Sequence, residues 1–131
     1  MKKGGILHKH LNEVIASLGH MDTIVVCDAG LPIPDERQRV ELAFKEGVPG
    51  QLEVIEELLK EIVIEKAIMA NESKTVSPEM HANILKLLGD VEVEYIPHAE
   101  FKQRSRNCKA IIRTGEFTPY SNVMFVCGCA Y

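Results

Sequence analysis

The stretch that decides the fold is LGHMDTIVVCDAGLPIP, residues 18–34. Its centre, residues 24–26, is an unbroken Ile-Val-Val run, which is typical of a strand covered on both faces. His20 precedes the run, and Asp28 follows it where the strand is expected to end. Open α/β sheets place their ligands at the carboxyl ends of such strands. The stretch therefore predicts an α/β fold with a candidate site around Asp28.

The rest of the chain alternates between helical and strand patterns. Helical spacing of apolar residues predicts helices at 11–18, 49–59, 77–89 and 98–104. Gly19 and Ser77 are expected to cap the first and third of these helices. Apolar or alternating runs predict strands at 23–27, 40–44, 62–69, 91–95, 110–113 and 122–130. This order favours a single three-layer α/β domain over residues 1–131, with a mainly parallel sheet and helices on both faces. Segment 114–121 is expected to join the last two strands as an antiparallel pair, which makes the C-terminal strand antiparallel.

Composition and charge narrow the class of protein. Of 131 residues, 46% are hydrophobic and 26% are charged, which fits a soluble globular protein and not a disordered one. The net charge of −4 argues against nucleic-acid binding, which needs a basic surplus. No apolar run is long enough to cross a bilayer, and Glu13 interrupts the signal-like start at residues 1–3. We therefore expect a cytoplasmic protein without nucleic-acid or membrane partners.

The four cysteines form no recognisable redox or metal motif. Cys27, Cys127 and Cys129 lie in apolar strand-like runs, so free buried thiols are expected at these positions. The last two are separated by a single glycine and therefore lack the CxxC spacing of zinc and redox sites. We therefore expect the cysteines to pack in the protein interior and not to form a metal or redox site.

Polar side chains follow several of the predicted strands, at the point where each strand ends. Asp28 follows the first strand, His98 follows the strand ending at Tyr95, and Glu116 follows the strand at 110–113. A hairpin before the last strand brings three more to the same edge of the sheet: Tyr120, Ser121 and Asn122. Lys102 lies about one helical turn after His98. This mixture of donors and acceptors suits a small polyhydroxylated ligand.

Each of these residues also has a purely structural interpretation. Asp28 before Ala-Gly is a common turn residue, and residues 120–122 are ordinary turn chemistry. His98 after a proline is a reasonable helix N-cap. Lys102 belongs to a basic cluster with Arg104, Arg106 and Lys109, which fits either a phosphorylated sugar or a solvated helix face. A binding site is predicted because all of these residues are expected at the same edge of the sheet.

His20 is the residue best suited to acid–base chemistry, because an imidazole can donate or accept a proton near neutral pH. A histidine near a helix C-terminus is also favourably placed for the helix dipole, so a structural role is the alternative. An extended strand from Thr23 to Asp28 spans roughly 17 Å at about 3.3 Å per residue. One small ligand therefore cannot touch both His20 and Asp28 of one chain unless the segment bends sharply. We expect a site that uses both residues to lie where two subunits meet.

Four segments together resemble a known family, the ribose pyranase and fucose mutarotase family, and its ribose branch in particular. The matching segments are Leu18–Asp22, Asp28–Pro34, His98–Lys102, and Thr114–Glu116 with Pro119–Asn122. The Gly30–Pro34 loop and Lys102 resemble the ribose branch more than the fucose branch. The similarity runs from Lys2 to the C-terminus.

The resemblance implies a cofactor-independent cytoplasmic isomerase that interconverts the β-pyranose and β-furanose forms of D-ribose and feeds ribose catabolism. It also implies a ring-shaped homodecamer with ribose bound between subunits. His20 matches the family's catalytic proton donor, and no metal is implied. The family's sugar-binding positions match Asp28, His98, Tyr120, Ser121 and Asn122, with Lys102 as an addition.

Two other hypotheses are open from the residues alone. A ribose-binding or regulatory protein would use the same pocket without catalysis. A metal-dependent hydrolase would be built around His8 and His10, whose spacing occurs in metal sites, with Asp28 or His98 as a third ligand.

Overall fold

The computed structural model describes residues 1–131, which form six strands and five helices. The strands are β1 Thr23–Cys27, β2 Arg39–Glu41, β3 Ile64–Ala70, β4 Glu92–Ile96, β5 Ala110–Arg113 and β6 Val123–Cys127. The helices are α1 Lys9–Ser17, α2 Gln51–Leu59, α3 Ser73–Val76, α4 Pro78–Leu88 and α5 His98–Ser105. None of the helices has the length and apolar character that crossing a bilayer requires.

The six strands form one sheet in the order β2-β5-β1-β6-β3-β4. Neighbouring strands are parallel except for β6, which is antiparallel to both β1 and β3. The predicted mainly parallel α/β sheet with an antiparallel C-terminal strand is therefore confirmed. The predicted pairing of the last two strands is wrong, because β1 lies between β5 and β6. A central position suits β6, since four of its five residues are buried.

The reversed direction of β6 matters more for the site than its neighbours do. An antiparallel strand begins at the edge of the sheet where the parallel strands end. Residues 120–122, which lead into β6, therefore still reach the carboxyl edge of β1, although no hairpin brings them there.

The unbroken apolar run in β1 arises because both faces of the sheet are covered. Val26 packs in a core cluster with α1, α2 and α4 residues such as Ile55 and Ile84, whereas Val25 packs on the opposite face with Phe101 of α5. Successive strand residues point to opposite faces, so neither face can be polar here. The expected three layers, with helices on both faces, are confirmed.

Several element ends differ from the prediction. The strand expected over 40–44 stops at Glu41, because Lys45 pairs with Val48 in a tight turn that leaves Phe44 82% exposed. The last strand ends at Cys127 and not at Ala130. Cys129 is consequently exposed and its predicted burial is wrong, whereas Cys27, Cys108 and Cys127 are buried, and all four are free thiols.

The predicted caps also differ. Helix α1 ends at Ser17 with Leu18 as its C-cap, so Gly19 belongs to the following turn. Ser77 is the N-cap residue of α4, but its hydroxyl donates to the carbonyl of Pro119 instead of capping the helix. That bond ties α4 to the segment that precedes β6. Helix α3, just before it, is not apparent in the sequence pattern.

Candidate active site

A cavity of about 550 Å³ lies at the carboxyl edge of the sheet. Its size is within the usual range for small-molecule sites. Five of the seven predicted site residues line it: Asp28, His98, Lys102, Tyr120 and Asn122. The lining also includes Glu116, Phe117 and the loop residues Ala29 to Pro32. Ser121 and His20 do not line this cavity.

Asp28 and Asn122 hold each other in a reciprocal pair of hydrogen bonds. The Asp28 amide donates to Asn122 Oδ1 at 2.8 Å, and Asn122 Nδ2 donates to Asp28 Oδ2 at 3.0 Å. The other carboxylate oxygen accepts the Gly30 amide at 2.9 Å, so Asp28 is also the turn residue that its sequence context suggests. Each carboxylate oxygen keeps one lone pair for a ligand hydroxyl. The turn thus fixes an acceptor at the cavity.

His98 is the first residue of α5, and Pro97 occupies the N-cap position. The His98 amide donates to both carboxylate oxygens of Glu72, at 3.0 and 3.2 Å, which anchors the start of the helix. Burial lowers the pKa of the His98 imidazole below its ordinary value, and the Lys102 ammonium lowers it further against opposing effects of Glu72 and Asp28. The ring is therefore held in its neutral form near pH 7.

Tyr120 meets the His98 ring edge-on, with centroids 4.8 Å apart. Its backbone has a φ of 56°, in the left-handed region that costs a non-glycine residue on the order of 1 kcal/mol. The next residue, Ser121, is 1% exposed, and its carbonyl accepts a hydrogen bond from the Gln51 side chain. The strained residue thus turns an aromatic ring into the cavity while its neighbour anchors the chain below.

Gln51, at the start of α2, is the buried anchor beneath the cavity. Its Nε2 donates to the carbonyls of Val26 and Ser121 at 2.9 and 2.8 Å, and its Oε1 accepts the Thr114 hydroxyl at 3.1 Å. The side chain is fully buried and hydrogen-bonded at both ends. One amide therefore links the end of β1, the end of β5 and the start of β6, which are the three segments that carry the site.

We expect Gln51→Leu to lower the free energy of unfolding by about 3 kcal/mol, because it removes the hydrogen-bond donor of two buried carbonyls, those of Val26 and Ser121. Denaturant unfolding of the variant measures this loss. Gln103→Leu, on the exposed side of α5, is the matched control and should change stability little. Equal effects of the two substitutions would show that the hydrogen bonds of the Gln51 side chain do not contribute measurably to the free energy of unfolding.

Glycine at position 115 allows another loop to support the cavity. A Cβ at Gly115 would lie 2.5 Å from the carbonyl oxygens of Lys45 and Val48, so no other residue fits without backbone movement. Next to it, the Glu116 carboxylate accepts hydrogen bonds from the backbone N–H of Gln51 and from the Thr118 hydroxyl, both at 3.1 Å. The cavity wall is therefore built by close backbone packing.

His20 lies in a rigid turn at the opposite end of β1. Met21, with a φ of 71°, donates its amide to the Cys127 carbonyl at 2.9 Å, and the Cys127 amide donates to the Asp22 carbonyl at 2.8 Å. Asp22 Oδ2 accepts both the Gly19 amide and Lys109 Nζ at 2.7 Å. The hydrogen bond from Lys109 is the main reason that the pKa of the Asp22 carboxyl is lowered. The turn is thus fixed by both backbone and side chains.

The separation of His20 from Asp28 agrees with the strand length. His20 lines a second cavity of about 340 Å³, between α1, the segment 61–63 that precedes β3, and the C-terminus. Its imidazole is half-exposed and its Nε2 lies 3.3 Å from Glu65 Oε2. His20 and Asp28 therefore line two separate cavities of one chain, at opposite ends of β1.

The other histidines and basic residues considered as candidates make structural contacts. His8 Nδ1 accepts the Leu11 amide as the N-cap of α1, and His10 Nε2 hydrogen-bonds Gln38. No group of three or more histidine, cysteine, aspartate or glutamate side chains is arranged to hold a metal ion. In the basic cluster, Arg104 pairs with Glu94.

Comparison with known proteins gives matches along the whole chain. The model of the RbsD / FucU transport protein family matches residues 1–130. The D-ribose pyranase of Geobacillus thermodenitrificans is 46% identical over 98% of this chain and 97% of that protein, and that of Aliivibrio fischeri is 48% identical over the full length of both. The structure of Bacillus subtilis RbsD complexed with D-ribose superposes with a TM-score of 0.96 at 43% identity, covering 100% of both chains. The fucose mutarotase of Streptococcus pneumoniae, at 19% identity and a TM-score of 0.76, shares the fold.

Proposed function

This chain belongs to the RbsD / FucU transport protein family, and from that membership we propose that it is an isomerase interconverting the pyranose and furanose forms of D-ribose. The observation that carries the proposal is the cavity in which the Asp28–Asn122 pair faces a neutral His98. Such a cavity offers fixed acceptors for sugar hydroxyls together with a group that can accept a proton. The curated relatives named D-ribose pyranase support ribose as the sugar.

A change of ring size is a pair of proton transfers with one bond broken and one formed. A proton is added to the ring oxygen O5, the C1–O5 bond breaks with its electron pair going to O5, and the anomeric hydroxyl loses its proton to give the open aldehyde. After rotation, the O4 hydroxyl adds to C1 while its proton leaves and the aldehyde oxygen is protonated. The reaction therefore needs one acid and one base that exchange roles on closure.

We assign the acid to His20 and the base to His98, in keeping with the family resemblance for His20. The lowered pKa of His98 supports its role, because a neutral imidazole can accept the anomeric proton at once. Asp28 is better suited to hold sugar hydroxyls, since both of its oxygens already accept hydrogen bonds that fix their direction. Tyr120 and Lys102 line the same cavity and complete the binding surface.

We further propose that catalysis needs an oligomer, with the ring-shaped homodecamer of the family as its form. His20 and Asp28 lie at opposite ends of β1, so one ribose reaches both only if they come from different copies. Exposed large apolar side chains support association, because Phe117 at the cavity wall is 63% exposed and Phe44, which does not line the cavity, is 82% exposed. The family resemblance also leads us to place the enzyme in the cytoplasm, where it would feed ribose catabolism.

NMR saturation transfer between the pyranose and furanose signals of ribose tests the proposed function. We expect added protein to accelerate exchange above the uncatalysed rate, also in the presence of a chelator. Ribose binding without faster exchange would instead indicate a sugar-binding or regulatory protein. Exchange that stops in chelator would indicate a metal-dependent reaction.

The acid limb of the pH–rate profile should report His98. Because the pKa of His98 is lowered, the neutral base persists as the pH falls through about 6.5, the ordinary histidine value, and activity is lost only below it. Lys102→Met removes a charge that lowers this pKa, so its acid midpoint should move to higher pH, whereas Lys109→Met should leave it in place. Values of kcat/KM measured between pH 4.5 and about 8 test this. A wild-type midpoint at or above the ordinary histidine value would contradict His98 as the base.

A further inference from the structure

We propose that Glu65 is a positioning residue for His20, holding the imidazole through Nε2 so that Nδ1 is the nitrogen that exchanges a proton with the sugar. This inference rests on the proposed function. It adds a carboxylate to a site whose family-matched members do not include one next to the histidine.

The backbone of β3 is irregular at Glu65. Ile64 is paired with Cys127 and Lys66 with Val126, so Glu65 is an extra residue that β6 does not match. Such a β-bulge redirects the side chain of the extra residue, and bulges are enriched next to active sites. Here the redirected carboxylate places Oε2 at 3.3 Å from His20 Nε2.

Both partners are fixed to the same strand end. The turn carrying His20 is hydrogen-bonded in both directions to Cys127, the last residue of β6. Gly128, the next residue, donates its amide to the carbonyl of Val63, just before the bulge, and a Cβ there would lie 3.6 Å from Glu65 Oε2. The distance between carboxylate and imidazole is therefore set by the sheet and not by a mobile loop.

The other titratable groups near His20 do not make this contact. The cavity beside the ring is also lined by Glu61, Cys127, Cys129 and Tyr131. Burial raises the pKa of the Cys127 thiol, which keeps it uncharged. Asp22, in the same turn, is engaged by Lys109. Glu65 is the carboxylate that hydrogen-bonds the ring.

This contact defines the path of the proton. Protonated His20 carries a proton on each nitrogen, and Glu65 accepts the one on Nε2. Nδ1 then gives its proton to O5 as the C1–O5 bond breaks, and the neutral ring keeps its proton on Nε2. On closure, the proton leaving O4 returns to Nδ1. A carboxylate that accepts a hydrogen bond from one ring nitrogen in this way fixes the tautomer and the orientation of the ring.

Glu65→Gln removes the charge and keeps the shape of the side chain. We expect kcat to fall roughly 10-fold, the effect of losing a charge-assisted hydrogen bond, with KM within about twofold of wild type. The fall in kcat without a matching rise in KM separates a positioning role from a binding role. Glu61→Gln removes an equal charge from the same cavity and should leave kcat unchanged.

A second readout does not depend on activity. The ring-nitrogen signals of neutral His20, assigned by their loss in His20→Gln in protein with labelled histidine, should show the Nε2–H tautomer in wild type and Glu61→Gln and a larger share of the Nδ1–H tautomer in Glu65→Gln. If the tautomer shares and kcat are the same in both glutamine variants, the inference is overturned. If wild-type protein does not accelerate ribose exchange, the proposed function fails, and the His20 tautomer still decides whether Glu65 orients this ring.

Discussion

Replacing His20 by glutamine should lower the rate of ribose ring exchange by about 10³-fold, the usual contribution of a general acid. Glutamine keeps a hydrogen-bonding side chain of similar size but cannot deliver a proton to the ring oxygen. His20 is half-exposed in a turn held by the backbone of Cys127, so the fold should not change. The rate is measured by saturation transfer, and ribose affinity by calorimetry.

Affinity for ribose should change far less than the rate, because the Asp28 cavity remains intact. His10→Gln is the matched control, since His10 hydrogen-bonds Gln38, lines neither the Asp28 cavity nor the His20 cavity, and should leave the rate unchanged. A His20→Gln protein that keeps its rate within a few-fold of wild type would remove His20 from the chemistry.

Replacing Asp28 by alanine should raise KM for ribose by about 100-fold. The substitution removes a charged acceptor for sugar hydroxyls, and a hydrogen bond to a charged group contributes about 1.5–3 kcal/mol. It also leaves the Asn122 amide without its partner and frees the Gly30 amide, so the cavity loses its fixed geometry. Steady-state exchange at increasing ribose concentrations measures KM.

Asp90→Ala, an exposed aspartate after α4, is the control for a simple loss of charge. It should leave KM within experimental error of wild type. An unchanged KM in Asp28→Ala would mean that the sugar binds elsewhere, and the cavity at the carboxyl edge of the sheet would lose its assignment.

Local sequence patterns predict most of the helices and strands, and they also predict that Asp28 and His98 lie at the same edge of the sheet. The run at 24–26 indicated a strand covered on both faces, and Val25 and Val26 do pack on opposite faces. Asp28 and His98 were located because each follows a strand, and parallel strands end at one edge. The place of β6 between β1 and β3 was not predictable, because pairing between distant strands has no local signature in one sequence.

The supporting residues were harder to find, for different reasons. Gln51 left a readable signal, since it lies at helical spacing from Val54, Ile55 and Leu58 on the buried face of α2, where a polar residue needs partners. Glu65 left none, because a β-bulge depends on the partner strand and its glutamate fits an ordinary exposed position. The sequence located chemical groups at strand ends, whereas the bonds that orient them come from tertiary contacts.

We propose that each active site takes His20 from one copy of the chain and the Asp28 cavity from another. Mixed oligomers of His20→Gln and Asp28→Ala, formed by unfolding and refolding the two together, test it most directly. Random mixing should restore a wild-type pair of these two residues in about a quarter of the sites, so exchange should rise far above the sum of the two parents. Mixed oligomers that form, as judged by native mass, but catalyse no faster than the parents would contradict the shared site.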